Sequence, residues 1–97
     1  MKVLISQPRE GQLICDDVVV IEGYATADHS IDRVELSVDD GKTWIEAKLG
    51  ERDAEMAWRF WEAHVRLRPG IHRIIARAAA SHNNLWHRIK IKVEETD

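Results

Sequence analysis

The chain has ninety-seven residues, 44% of them hydrophobic and 32% charged. That is one domain spanning 1–97, with a modest core and a well-solvated surface, which excludes both a second core and a disordered polymer. The formal net charge is -3 with one cysteine, which speaks against nucleic acid as a partner and excludes an intrachain disulfide.

The densest basic run, Arg88-Ile89-Lys90-Ile91-Lys92, alternates with apolar residues and reads as one solvated strand face. No stretch approaches the ~18 apolar residues of a membrane helix, so no membrane partner is expected. Lys2 followed by Val3-Leu4-Ile5 and then polar residues does not make an export signal. A cytoplasmic location is the expectation, and a periplasmic one follows if a leader has been removed.

Along the chain the dominant period is two. A short first strand, Val3 to Ser6, is separated by the Pro8–Gly11 turn from Leu13-Ile14. Val18-Val19-Val20-Ile21 is a continuous β-branched run, which predicts a central strand buried on both faces or lying under a loop. Val34, Leu36 and Val38 alternate with Glu35, Ser37 and Asp39. Asp39-Asp40-Gly41-Lys42 then supplies a turn whose glycine takes positive φ, and the chain returns from Trp44 to Leu49.

Between Met56 and Leu67 a helix competes with a strand. Trp61, Ala63, Val65 and Leu67 alternate with Glu62, His64 and Arg66 up to Pro69-Gly70, which favours a strand after a loop, with a short helical turn at Asp53–Met56. In the next strand Ile74, Ala76 and Ala78 share a face, and Ser81-His82-Asn83-Asn84 signals a turn. The last strand points Ile89, Ile91 and Val93 inward and Arg88, Lys90 and Lys92 outward. Seven or eight short strands with a turn roughly every ten residues predict an all-β, immunoglobulin-like β-sandwich.

Signs of chemistry are sparse. His29, His64, His72, His82 and His87 show no zinc-site spacing with cysteine or carboxylate, and only His82 and His87 flank one predicted turn. They read as surface or turn residues, and no metal site is assigned. Cys15 lies before Asp16-Asp17, acidic neighbours that do not activate a thiol, so it reads as a small buried residue and not a nucleophile. The acid pairs Asp39-Asp40 and Glu94-Glu95 fall in a turn and a tail. There is neither a phosphate loop nor a nucleophile elbow. No catalytic residue is assigned, and the chain reads as a binding module.

Four tryptophans remain to be explained: Trp44, Trp58, Trp61 and Trp86. Two or three of them are expected to fill the core or cover its edge. The others are expected to anchor an interface, for which Trp58, Trp61 and Trp86 are the candidates. The competing reading is a carbohydrate or small-ligand module with an exposed aromatic platform.

Gly23-Tyr24-Ala25, Ile31-x-Arg33-Val34-Glu35-Leu36-Ser37-Val38-Asp39-Asp40-Gly41-Lys42-Thr43-Trp44 and Ala47-x-Leu49 occur together, followed by Trp58-x-x-Trp61, Pro69-Gly70-x-His72 and Ala76-Arg77-Ala78. This set resembles the dimerisation domain of the sulfite oxidase and plant nitrate reductase family over nearly the whole chain. The sequence departs from the family's pattern at Asp28-His29-Ser30, at Ala79-Ala80-Ser81 and around Leu85-Trp86-His87. The resemblance implies an immunoglobulin-like association module. It would form a homodimer or dock a molybdenum-cofactor catalytic subunit, with the molybdenum-pterin held by that partner or by an absent domain. Cys15 lies inside the matching region and does not inherit the family's metal-ligand role.

Overall fold

In the computed structural model, residues 2–26, 33–50, 58–79 and 84–94 are described. The period-two segments form nine strands among them: β1 (Lys2–Gln7), β2 (Leu13–Ile14), β3 (Val18–Thr26), β4 (Arg33–Ser37), β5 (Ile45–Glu46), β6 (Lys48–Leu49), β7 (Trp58–Arg66), β8 (Gly70–Ala79) and β9 (Asn84–Val93). They make two sheets, one in the order β1-β3-β7-β6 and the other β2-β9-β8-β4-β5. Pairing is antiparallel except between β2 and β9. The expected all-β sandwich is therefore observed, with nine strands because three of them are two-residue segments. No helix occurs among the described residues. The helical turn expected at Asp53–Met56 lies outside them.

The core follows from alternation. Val19, Ile21 and Ala25 of β3, Trp61 of β7, Val34 and Leu36 of β4, and Ile74, Ala76 and Ala78 of β8 are buried, as are Ile89, Ile91 and Val93 of β9. Each of these sets leaves every second residue outside, as a half-buried pleat requires. Trp61 is the largest fully buried side chain. It lies opposite Gly23 in the β3–β7 ladder. A Cβ at Gly23 would stand 2.6 Å from Trp61 Cζ2 and overlap the Leu4 carbonyl oxygen. The glycine of Gly23-Tyr24-Ala25 thus makes room for the indole while keeping β1 close to β3.

Three expectations need correction. The Val18–Ile21 run is not buried on both faces: Val19 and Ile21 are buried, whereas Val18 and Val20 are 42% and 43% exposed. β3 is central in its sheet, but one face of that sheet is left uncovered. The return from Trp44 to Leu49 is not one strand either. β5 pairs with β4, and after Ala47 the chain crosses to the other sheet, where β6 pairs with β7. Ala47 is buried at the crossing and its N–H donates to the Val34 carbonyl at 2.8 Å. Finally, Cys15 is exposed, because it follows the two-residue β2 at the rim instead of entering the core.

The two sheets are tied at one edge by a histidine. His87 Nδ1 accepts the Ile5 N–H at 2.8 Å, linking β9 to β1. β1 is an edge strand, and this bond occupies a donor on its free side. The alternation pattern marks His87 only as a polar residue near a turn; its role depends on the two sheets meeting.

Candidate association surfaces

The hairpin between β4 and β5 builds the first surface. Asp39 Oδ1 accepts from Ser37 Oγ at 2.7 Å, Lys42 N at 3.1 Å and Thr43 N at 2.9 Å. Thr43 Oγ1 donates to Asp39 Oδ2, and Gly41 N–H donates to Ser37 Oγ at 2.7 Å. These bonds, the Thr43 hydroxyl foremost, hold the Asp39 carboxyl well below the usual carboxylate range. Asp40 and Gly41 take φ of 61° and 91°, the left-handed turn expected at Gly41. The loop lies back over β8, with Asp40 N–H donating to the Arg73 carbonyl at 3.2 Å. It shields Ile75, which faces away from the core yet is only 2% exposed. A Cβ at Gly41 would stand 3.7 Å from Ile75 Cδ1 and 3.8 Å from Trp44 Cζ2.

This folded loop delivers Trp44 to the outer face of the five-stranded sheet. There Glu35, Arg77 and Trp86 stand in one row across β4, β8 and β9. The Arg77 guanidinium lies 3.8 Å from the Trp44 ring centroid and 5.4 Å from that of Trp86. Its Nη2 donates to Glu35 Oε1 at 3.0 Å. Trp44 and Trp86 meet edge to face, 5.5 Å apart at 74°. Trp86 remains 48% exposed. An arginine fixed by a carboxylate between two indoles is a rigid, amphipathic anchor of the kind that carries binding energy. Two indoles at a steep angle do not make one flat platform for a sugar ring.

The second surface is the outer face of the four-stranded sheet. Leu4, Val18, Val20 and Tyr24 are 36%, 42%, 43% and 43% exposed. Tyr24 is flanked by Leu4 on β1 and Phe60 on β7. The Tyr24 and Phe60 rings meet edge to face at 5.6 Å. Glu22 and Glu62 form the next row along the strands, then Val20 and His64, then Val18 and Arg66.

Of the three candidate interface tryptophans, only Trp86 is shown on a surface. Trp61 is 0% exposed, so it cannot anchor a partner, and its identification as an interface residue is corrected. Its position in the strand pattern is an inward one. The Trp58 side chain lies outside the described residues. Trp61 fills the core, whereas Trp44 is half-buried on an outer face. Trp44, Arg77 and Glu35 were missed as a group because only the strand register brings them together; in sequence they belong to three separate elements.

Among the described residues no three His, Cys, Asp or Glu side chains converge.

Comparison with known proteins agrees with this architecture. The family model of the Mo-co oxidoreductase dimerisation domain matches residues 1–82. Mitochondrial sulfite oxidase of Mus musculus is 41% identical over 64 residues, covering 60% of this chain and 12% of the relative. Sulfite oxidase of Gallus gallus is 31% identical over 88 residues, covering 84% of this chain and 19% of the relative. The chain thus spans less than a fifth of the length of these relatives. Among solved structures, the sulfane dehydrogenase SoxCD of Paracoccus pantotrophus superposes with a TM-score of 0.70 at 20% identity, covering 96% of this chain and 32% of that one. An endo-beta-1,4-mannanase of Thermotoga petrophila gives 0.76 at 12% identity, covering 97% of this chain and 20% of that one. At such identities these two superpositions speak for the fold alone. The match to the family model over residues 1–82, and the strand-by-strand explanation of its motifs, place this chain in the Mo-co oxidoreductase dimerisation domain family.

Proposed function

We infer that this chain works as an accessory association module of a molybdenum-cofactor oxidoreductase, joining a second copy of itself or docking a catalytic subunit. The observation that carries the reading is apolar side chains left uncovered on a sheet with its own complete core. β3 buries Val19 and Ile21 and still exposes Val18, Val20 and Tyr24. A solvated strand face normally carries polar residues at such positions. The Trp44–Arg77–Trp86 group offers a second, more polar contact on the opposite face, suited to a separate partner. The molybdenum-pterin and the redox chemistry belong, in this reading, to the catalytic partner, whose substrate is set there.

The test mixes the chain with a separately expressed molybdenum-cofactor catalytic domain of sulfite oxidase type and measures masses by light scattering after size exclusion. A dimer of the chain, or a complex with that domain, is expected. A chain that remains monomeric and elutes apart from the catalytic domain overturns the proposal.

A further inference from the structure

The five-stranded sheet is covered along only part of one edge. β2 pairs with β9 at Lys92 and Val93, and the turn before β2 extends that cover. Gly11 N–H donates to the Lys90 carbonyl at 2.7 Å, and Lys92 N–H donates to the Gln12 carbonyl at 3.1 Å. Lys90 N–H donates to Glu10 Oε2 at 2.8 Å. The even-numbered residues of β9 therefore turn their backbone groups away from β8. The β8–β9 register runs unbroken from Gly70↔Val93 to Ala79↔Asn84, so the two-residue period sends the N–H and C=O groups of Trp86 and Arg88 to the same side. Among the described residues no strand lies there to pair with them. We propose that this open stretch of β9 is a peptide-binding edge that adds an extended, acidic segment of another protein as a further strand. It stands apart from the association reading, since it engages the rim of a sheet and not a face.

The charge of the occupant follows from the side chains beside the edge. Trp86, Arg88 and Lys90 are exposed, and they alternate with the inward Ile89 and Ile91. Across the ladder Arg73 stands opposite Lys90, and Ile75 opposite Arg88. Arg73, Ile75, Arg88 and Lys90 line a hollow there, together with Glu10 and Asp40. Asp40 answers Arg73 at 3.8 Å. Among the described residues no carboxylate lies within ion-pair distance of Arg88 or Lys90. The chain itself already sets one carboxylate on this edge, since Glu10 takes the Lys90 N–H beside these cations. Exposed arginine and lysine deter a neutral strand from pairing. Carboxylates on the incoming strand turn the same charges into cross-strand attraction.

The register of the added strand is fixed by the same period. Main-chain hydrogen bonds supply the affinity of an added strand, and alternate side chains supply its selectivity. In antiparallel pairing one residue of the segment lies opposite Arg88, and the residue two positions later lies opposite Trp86. Both turn their N–H and C=O groups toward β9. An acid suits the first position, against Arg88 and diagonal to Lys90, and an apolar side chain suits the second, against the indole. The residue between them directs its N–H away from β9.

The experiment titrates the isotope-labelled chain with the acetylated, amidated peptide Glu-Thr-Glu-Thr-Leu-Thr and follows the backbone amide resonances. Shifts centred on Trp86 and Arg88 are expected, with slower hydrogen exchange at both amides. The same peptide with lysine for glutamate should bind about tenfold more weakly. Arg88→Glu should weaken the acidic peptide by a similar factor at an unchanged melting temperature, since that side chain is exposed. N-methylation of the second glutamate or of the leucine removes a donor to β9 and should abolish binding, whereas N-methylation of the threonine between them should not. Four results each overturn the proposal: no binding at millimolar peptide, equal affinity for the lysine peptide, indifference to the position of the N-methyl group, or shifts at Trp86 and Arg88 that arise on concentrating the chain alone and mark a second copy on this edge. None of the four bears on the association reading, which the mixing experiment above tests separately.

Discussion

Replacing Gly23 with alanine tests the packing that the sheets are built around. The added Cβ would overlap the Leu4 carbonyl oxygen and stand 2.6 Å from Trp61 Cζ2. The first obstacle is backbone held in the β1–β3 ladder and the second is a ring with 0% exposure. Neither is the loose end of a flexible side chain. Overpacking costs about 1–3 kcal/mol, and a backbone obstacle puts this site at the top of that range. A domain of this size has about 5–15 kcal/mol in total. A loss of ~3 kcal/mol lowers the melting temperature by roughly 12–24 °C. Thermal unfolding followed by circular dichroism reads it directly. Adding Trp61→Phe relieves the ring contact only, so the double variant should recover part of the loss and leave the Leu4 share. A Gly23→Ala protein melting within ~2 °C of wild type would refute the close approach of β1, β3 and Trp61.

Further outcomes follow from the other named contacts. Asp39→Asn should destabilise the hairpin at neutral pH. Because the folded carboxyl titrates below its unfolded value, its stabilisation is complete above the unfolded range. It fades as pH falls below about 4, so the melting temperatures of wild type and Asp39→Asn should converge in acid. His87→Ala leaves the Ile5 N–H without its acceptor and should cost about 1–3 kcal/mol in denaturant unfolding, with faster hydrogen exchange at Ile5. Arg77→Lys keeps the charge but loses the planar stack on Trp44. It should change the near-ultraviolet dichroism of the indoles while moving stability by no more than about 1 kcal/mol. An unchanged spectrum would contradict the stack.

Alternation alone carried much of this structure. The inward sets Val34–Leu36, Ile74–Ala76–Ala78 and Ile89–Ile91–Val93 are legible because a one-residue slip would expose every one of them. The left-handed turn at Gly41 is legible because few residues adopt that conformation. What period two cannot show is which side of a strand lacks cover. Val18-Val19-Val20-Ile21 is apolar on both sides, so burial of both faces and exposure of a contact face leave the same letters. The crossing at Ala47 is hidden for a similar reason, since alternation continues from Ile45 through Leu49 while the hydrogen-bond partner changes from β4 to β7. The Trp44–Arg77–Trp86 group needs register: Arg77 meets Trp86 through the adjacent β8–β9 ladder, but its pairing with Glu35 on β4 joins residues far apart in sequence. Trp61 was misplaced because tryptophan favours cores and interfaces alike; the space left by Gly23 decides between them.

Sedimentation equilibrium of the wild-type chain over a hundredfold range of concentration tests the central claim most directly. A monomer–dimer equilibrium that shifts toward the dimer with concentration is the predicted result. A single monomeric mass at every concentration, unchanged when a molybdenum-cofactor catalytic domain is added, would contradict the account.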